Sequence, residues 1–244
     1  MLLEEPPEYL PVPNTVCVSV DFPISNNKRF LIKINLVSHT SQPSPFARAY
    51  SISVTPEALL DKSRIDKRFS LRTFENFNAY DPITKKAKET ALDYADNIEK
   101  YLDTGTNLII EGAGKVGTGK THLACAIAQA VMQRGIPAKF INVVSMIAEI
   151  KENFQIKNFT DVELLIIDDL GKEKSTEWVC ETIYAIINKR YEQMKPTIIT
   201  TEKPMSSMTS HYDDKGKAIL SRIAEDFYLI RLNGSDYRTR RNDE

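Results

Sequence analysis

The sequence predicts an α/β domain of three layers, a mostly parallel sheet with helices on both faces, preceded by a small β-rich region. Three observations carry this. From Asn107 onward, short apolar runs without alternation take turns with amphipathic stretches of helical length. Unbroken apolar strands suit a parallel sheet covered on both faces, and strand–helix alternation gives the three layers. In residues 1–60, by contrast, apolar and polar residues alternate with period two, the pattern of half-buried strands. Glycine and proline follow the same division: all nine glycines lie at or after Gly105, while eight of the twelve prolines precede residue 60.

Taken in order, Val16, Val18, Val20 and Phe22, then Ile32, Ile34 and Leu36, then Tyr50, Ile52 and Val54 mark three strands. Three strands are marginal alone, so residues 1–60 are expected to pack on a partner or on the second domain. Lys62, Arg64, Lys67, Arg68 and Arg72 face one acid, Asp66. The strip reads as a solvated linker, with a phosphate-contacting surface as the alternative. Ala87, Ala91, Tyr94, Ala95, Ile98 and Leu102 fall on one side of a helix over Thr84–Leu102, which closes a linker and lead-in of residues 61–103. Residues 104–244 are the core. The pattern there predicts strands at Asn107–Glu111, Ala138–Asn142, Glu163–Asp168, Thr197–Thr201 and Tyr228–Leu232. Helices are expected at Gly119–Arg134 (stopped by Gly135), Ser145–Phe154, Ser175–Gln193 and Ala218–Glu225.

Composition narrows the function. An apolar fraction of 42% and a charged fraction of 27% are ordinary for a soluble globular chain of 244 residues. A net charge of -1 excludes wrapping DNA by bulk charge, so any nucleic-acid contact must come from a local patch. Cys17, Cys125 and Cys180 lie far apart, with neither disulfide-framework nor zinc-site spacing. No secretory leader opens the chain and no apolar run reaches 18 residues, so a cytoplasmic protein without a membrane partner is expected.

The run Gly114-Lys115-Val116-Gly117-Thr118-Gly119-Lys120-Thr121 satisfies G-x-x-x-x-G-K-S/T. Its glycines let successive N–H groups face a phosphate, and the following helix offers the same anion its positive end. Lys120 is suited to the β and γ oxygens of a nucleotide, and the Thr121 hydroxyl to magnesium. A glycine-rich turn is the bland alternative. It is weakened because the motif follows a predicted strand and opens a predicted helix. A magnesium site needs a second anchor, and Leu164-Leu165-Ile166-Ile167-Asp168-Asp169 supplies one at the end of an apolar strand. Asp168 is expected to hold magnesium, and Asp169 to orient and polarise the attacking water. No N-K-x-D motif follows a strand, which favours ATP over GTP.

Several stretches resemble the DnaC/DnaI-type helicase loaders of the AAA+ ATPases. Arg68-Phe69 and Thr73-Phe74-Glu75-Asn76-Phe77 resemble that family's lead-in. Gly117-Thr118-Gly119-Lys120-Thr121-His122-Leu123-Ala124 and Ile166-Ile167-Asp168-Asp169-Leu170-Gly171 resemble its Walker A and Walker B motifs. Glu177-Trp178, Ile187-Asn188-Lys189-Arg190-Tyr191, Pro196-Thr197-Ile198-Ile199-Thr200-Thr201, Leu220-Ser221-Arg222-Ile223 and Asp236-Tyr237-Arg238 continue the series. The resemblance covers residues 68–238 and leaves residues 1–60 uncovered.

It implies a P-loop AAA+ domain in which His122 belongs to the nucleotide-binding stretch. Arg222 would be an arginine finger reaching a neighbouring subunit's γ-phosphate, and Arg238 a second sensor on the subunit's own nucleotide. Type alone would leave Arg222 a solvated helical residue and Arg238 a surface residue. The implied cofactors are ATP and magnesium. The implied partners are the replicative DNA helicase, single-stranded DNA and further copies of the chain.

Three departures stand out. Glu202 occupies the place of the usual first-sensor Asn, so either Thr201 takes that role or hydrolysis is slow. Only about twelve residues follow the last predicted strand, so no helical lid domain is expected. The front region lacks a cysteine-rich zinc module. The competing functions are an IstB-type transposition helper, a small-molecule kinase, and an adaptor that binds ATP without hydrolysing it.

Overall fold

The computed structural model describes residues 15–20, 30–35, 51–53, 67–112 and 116–233. The chain divides into two units, Met1–Ala58 and Leu59–Glu244. In the first, β1 (Thr15–Val20), β2 (Phe30–Asn35) and β3 (Ser51–Ser53) form an antiparallel sheet in that order. Thr15 stands opposite Asn35 and Val20 opposite Phe30. Phe22, Leu36, Tyr50 and Val54, expected in these strands, lie outside the described residues.

The second unit opens with a single helical turn, α1 (Lys67–Ser70), at the end of the basic strip. Lys62, Arg64 and Asp66 of that strip lie outside the described residues, whereas its last residues are packed. The Phe69 ring packs 5.7 Å from that of Phe140, and Arg72 lies over Phe69 at 4.7 Å. The single lead-in helix expected at Thr84–Leu102 is two helices. Asp81 and Thr84 form a reciprocal capping box before α2 (Pro82–Asp96), whose first residue is a proline that needs no donor there. The Asn97 side chain then donates back to the Asp93 carbonyl at 2.9 Å. A side chain that competes for the helical acceptor ends the helix, a boundary that apolar periodicity does not register. After it comes α3 (Ile98–Thr104).

The core of the unit is a five-stranded, fully parallel sheet in the order β5-β6-β7-β4-β8. In chain order its elements are β4 (Asn107–Glu111), α4 (Lys120–Gln133), β5 (Ala138–Asn142), α5 (Val143–Asn153), α6 (Lys157–Thr160) and β6 (Leu164–Asp168). Then follow α7 (Glu177–Glu192), β7 (Thr197–Thr201), a short 3-10 turn, α8 (Met208–His211), α9 (Asp213–Ile223) and β8 (Phe227–Arg231).

Alternate residues of each strand serve opposite faces. Leu108, Ile110, Leu164, Ile166 and Ile198 join a core with α2, α3 and α4, whereas Ile109, Leu165, Ile167 and Ile199 join a second core with α5, α7 and α9. Two cores explain why the strands are apolar without alternation. Local signals set the helix starts. Asn142 accepts from the Val144 amide at 3.0 Å to cap α5, and Thr176 caps α7. In α9 the helix runs through Gly216, before the Ala218 start that the sequence suggests. A Cβ at Gly216 would lie 2.5 Å from the Thr209 carbonyl oxygen, so glycine here permits α9 to close onto α8 rather than ending a helix.

One residue ties the second core to the sheet. Arg190 is fully buried on α7. Its guanidinium donates to the carbonyls of Phe159, Val162, Glu163 and Pro196 and, through Nε, to the Thr197 hydroxyl at 3.0 Å. It thereby ties the amino-terminal approaches of β6 and β7 to α7. Arg190→Met is expected to lower the unfolding free energy by about 3 kcal/mol, because the truncation orphans buried carbonyls. Urea denaturation of the full chain would measure it, and a loss under about 0.5 kcal/mol, the range of ordinary surface changes, would contradict this account.

Candidate active site

Matched register brings the carboxyl ends of the parallel strands to one edge. Asn142 stands beside Asp168, and Glu111 beside Thr201. The sheet order also departs from chain order here, because β4 lies between β7 and β8 and its successor β5 lies at the far edge. A switch of this kind opens a crevice outside the carboxyl ends, where ligands of α/β sheets bind. The loop from β4 to α4 lies there. Gly114 and Lys115 fall outside the described residues, and Val116–Thr121 are described.

Gly117 and Gly119 adopt left-handed φ values of 69° and 99°. At Gly119, the residue before α4, a Cβ would lie 2.8 Å from Cε2 of Phe77, so glycine is required by space as well as by φ. Phe77 is also edge-on to the His122 ring at 5.2 Å. His122 Nε2 donates to the Thr73 carbonyl and to Asn76 Oδ1, each at 2.9 Å. Burial lowers the His122 pKa, and Nε2 carries the proton that this geometry requires. His122 thus holds the Thr73–Phe77 lead-in against the loop. The Thr118 hydroxyl is buried and lacks a hydrogen-bond partner among the described residues.

Asp168 is 4% exposed and held from two directions. Thr121 Oγ1 donates to its two oxygens at 3.0 and 3.2 Å, and Thr200 Oγ1 donates to Oδ1 at 2.6 Å. Burial raises its pKa, and the two hydroxyls work against that rise. Lys120 is 5% exposed, and its pKa is lowered by burial against the opposing pull of Glu202, Asp169 and Asp168. Asp169 adopts φ 60°, and its amide donates to Thr200 Oγ1 at 2.9 Å. Its carboxylate pairs with Lys172 Nζ at 2.9 Å, and the same ammonium pairs with Glu202 at 2.8 Å. The Thr201 hydroxyl is committed to its own turn, accepting from the Lys203 amide at 3.2 Å.

The structure therefore brings Lys120, Thr121, Asp168 and Asp169 together, with Thr201 and Glu202 beside them. Arg222 is not among them. It donates to Asn188 Oδ1, to the Ala218 carbonyl at 3.1 Å and to the Tyr184 hydroxyl at 3.2 Å, and its guanidinium lies over the Tyr184 ring. It lines a cleft of about 360 Å³ with Asn107 and Thr197, the first residues of β4 and β7. Strands of five residues, about 16 Å, separate that edge from the phosphate loop of the same chain. Arg238 lies outside the described residues. Sequence reasoning missed Thr200, whose hydroxyl braces Asp168, and Lys172, which bridges two acids. The doubled threonine at the end of an apolar strand was a usable signal for the first. A lysine in a loop carries none.

The family described as IstB-like ATP binding protein matches residues 63–244. The chain belongs to this family. Among relatives, the phage-like element PBSX protein XkdC of Bacillus subtilis is 27% identical over 192 residues, 73% of this chain and 71% of that protein. The replicative helicase loader DnaC of Escherichia coli is 25% identical over 168 residues, 62% of this chain and 65% of the loader. A crystal structure of the DnaC helicase loader matches at TM-score 0.61 and 26% identity, covering 68% of this chain and 99% of that one. A structure of DnaI matches at TM-score 0.60 and 23% identity, covering 71% and 94%, a likeness of fold. The sheet and its helices are thus the α/β fold of the DnaC-type AAA+ domain. Among the described residues, no helix is long and apolar enough to cross a membrane.

The buried carboxylate is a liability for folding without ligand. The folded-state pKa of Asp168 is raised above its unfolded value, so keeping it ionised costs stability that grows as pH rises through the carboxylate range and above. Asp168→Asn is accordingly expected to raise the thermal midpoint of the nucleotide-free protein, more at pH 8 than at pH 5. A variant less stable than the parent at pH 8 would contradict this.

Proposed function

We propose that the chain is an ATP-dependent loader of the replicative DNA helicase onto single-stranded DNA. The observation that carries the ATPase part is the convergence of Lys120, Thr121, Asp168 and Asp169 beside a glycine loop that opens α4. The DnaC relative and the DnaC structure support the loader part. Gly114 to Thr121 would wrap the phosphates, with Lys120 on the β and γ oxygens. The buried, unpartnered Thr118 hydroxyl suits a loop built around a polar ligand. Thr121 and Asp168 offer hard oxygen donors within 3.0 Å of each other, a set that fits magnesium. Magnesium, when bound there, would supply charge neutralisation of the β and γ oxygens.

In the hydrolytic step Asp169 orients a water in line with the γ-phosphorus and accepts its proton. The new P–O bond forms as the bond to the β–γ bridging oxygen breaks, and that electron pair leaves with ADP. Arg222, one strand length from its own phosphate loop, is placed to serve a neighbouring subunit, so ATP would favour assembly and hydrolysis release. A rigid fork with fixed charge suits a group that enters from outside. Arg238 keeps the proposed role of second sensor. Single-stranded DNA has a contact surface in Phe154, 82% exposed at the end of α5, beside Lys151, which lies over the Trp178 ring at 5.3 Å. Exposed aromatics beside cations stack on bases without sequence preference. Residues 1–60 are proposed to bind a partner.

A second reading, an IstB-type transposition helper, is favoured by the matched family and by a relative. A Mycobacterium tuberculosis protein described as ATP-binding and located in an insertion sequence is 26% identical over 151 residues. Co-purification with a replicative helicase, as against a transposase, separates the two.

The primary test is equilibrium ATP binding together with phosphate release, with and without single-stranded DNA. Lys120→Ala is expected to lose ATP binding, and Asp169→Asn to bind without turnover. Arg222→Ala is expected to bind ATP as the parent does while assembly-dependent turnover falls about a thousandfold. Loss of ATP binding in the Arg222 variant would sink the role in trans. Tight binding by the parent without turnover under any condition would replace the motor with an ATP-ordered adaptor.

A further inference from the structure

The place usually held by an uncharged first sensor carries Glu202, a carboxylate that a γ-phosphate would repel. The structure shows what accompanies it. Lys172, in the turn after β6, extends its ammonium between Asp169 Oδ2 at 2.9 Å and Glu202 Oε1 at 2.8 Å. The two acids come from the ends of neighbouring strands, β6 and β7, so a single cation spans the mouth of the site. Glu202, Asp169 and Lys172 all act electrostatically on Lys120, which puts this bridge in the phosphate loop's own field. Lys172 is 42% exposed on its side chain, Glu202 27% and Asp169 20%. The bridge is therefore reached by solvent and can exchange partners.

We infer that Lys172 is the residue that reads the terminal phosphate of ATP, with Glu202 as its positioning residue in place of a sensor amide. The inference rests on the ATPase reading above. Without nucleotide, Lys172 pairs with Asp169 Oδ2 and competes with a water for that oxygen of the proposed base. A triphosphate held by Lys120 presents a more concentrated negative charge than a single, partly exposed carboxylate. Lys172 then exchanges its Asp169 contact for a γ oxygen while Glu202 retains the other side of the ammonium. The exchange releases Asp169 for the water and places a cation where negative charge collects in the transition state. ADP, lacking that oxygen, leaves the Lys172–Asp169 pair closed. The Thr201 hydroxyl, committed to Lys203, is not needed for this.

The test compares affinities for ADP and for a non-hydrolysable ATP analogue, beside phosphate release, in the full chain and in Lys172→Met, Lys172→Arg and Glu202→Gln. In Lys172→Met the preference for the triphosphate over ADP is expected to fall about tenfold, one contact's worth of discrimination, with ADP affinity unchanged. Turnover should fall with it. Lys172→Arg is expected to keep the preference. Glu202→Gln should retain ATP binding but lose turnover, because the ammonium is no longer held from its second side. An unchanged triphosphate-to-ADP ratio in Lys172→Met, with the parent binding and hydrolysing ATP, would overturn this inference alone. Absence of ATP binding by the parent would overturn the ATPase reading and this inference with it.

Discussion

The carboxylate of Asp168, at the end of β6, sits where burial alone would reject a charge, and two threonines keep it there. Thr121 approaches from the first turn of α4 and Thr200 from β7. The triad joins the helix behind the phosphate loop to two neighbouring strands. Raising a group's pKa by burial while bracing it with hydroxyls leaves it poised for a cation that would relieve both effects. The apo fold thus carries a local instability that a ligand is suited to repair, as expected where a site is built in advance of what it binds.

The position of the triad follows from the sheet. Register aligns Asn142 with Asp168 and Glu111 with Thr201 along one edge, and the insertion of β4 between β7 and β8 opens the crevice over it. The opposite edge is held by a different device, the buried Arg190 guanidinium gathering carbonyls from the approaches to β6 and β7. The two edges thus have separate fastenings. Arg222 belongs to the second edge, stacked on Tyr184 beside the cleft at the starts of β4 and β7. Its distance from its own phosphate loop is a consequence of strand length, and the role proposed for it in trans starts from that distance.

Much of the domain was legible beforehand because its signals are local. The P-loop spacing and the apolar strands act within a few residues of themselves, as does the Asp168-Asp169 pair after its strand. Where the reading missed, the cause was a contact that proximity in sequence does not encode. Asn97 ended a helix through its side chain, and Gly216 allowed two helices to close rather than stopping one. His122 lies within a nucleotide-binding stretch yet spends its ring on Thr73 and Asn76, which are 49 and 46 residues away.

The sequence by itself therefore determined the layered α/β domain, the phosphate loop and the acidic strand end, because periodicity and motif spacing act along the chain. Only the tertiary structure decided that Thr200 braces Asp168, that Arg222 lies at the far edge, and that Glu202 comes with a counter-ion. The last shows the reason most clearly. Read alone, Glu202 is a misplaced charge; in the fold Lys172, from the turn after β6, lies 2.8 Å away. A charge's meaning depends on what stands opposite it, and pairing across thirty residues is set by strand order and register, which composition and spacing do not contain.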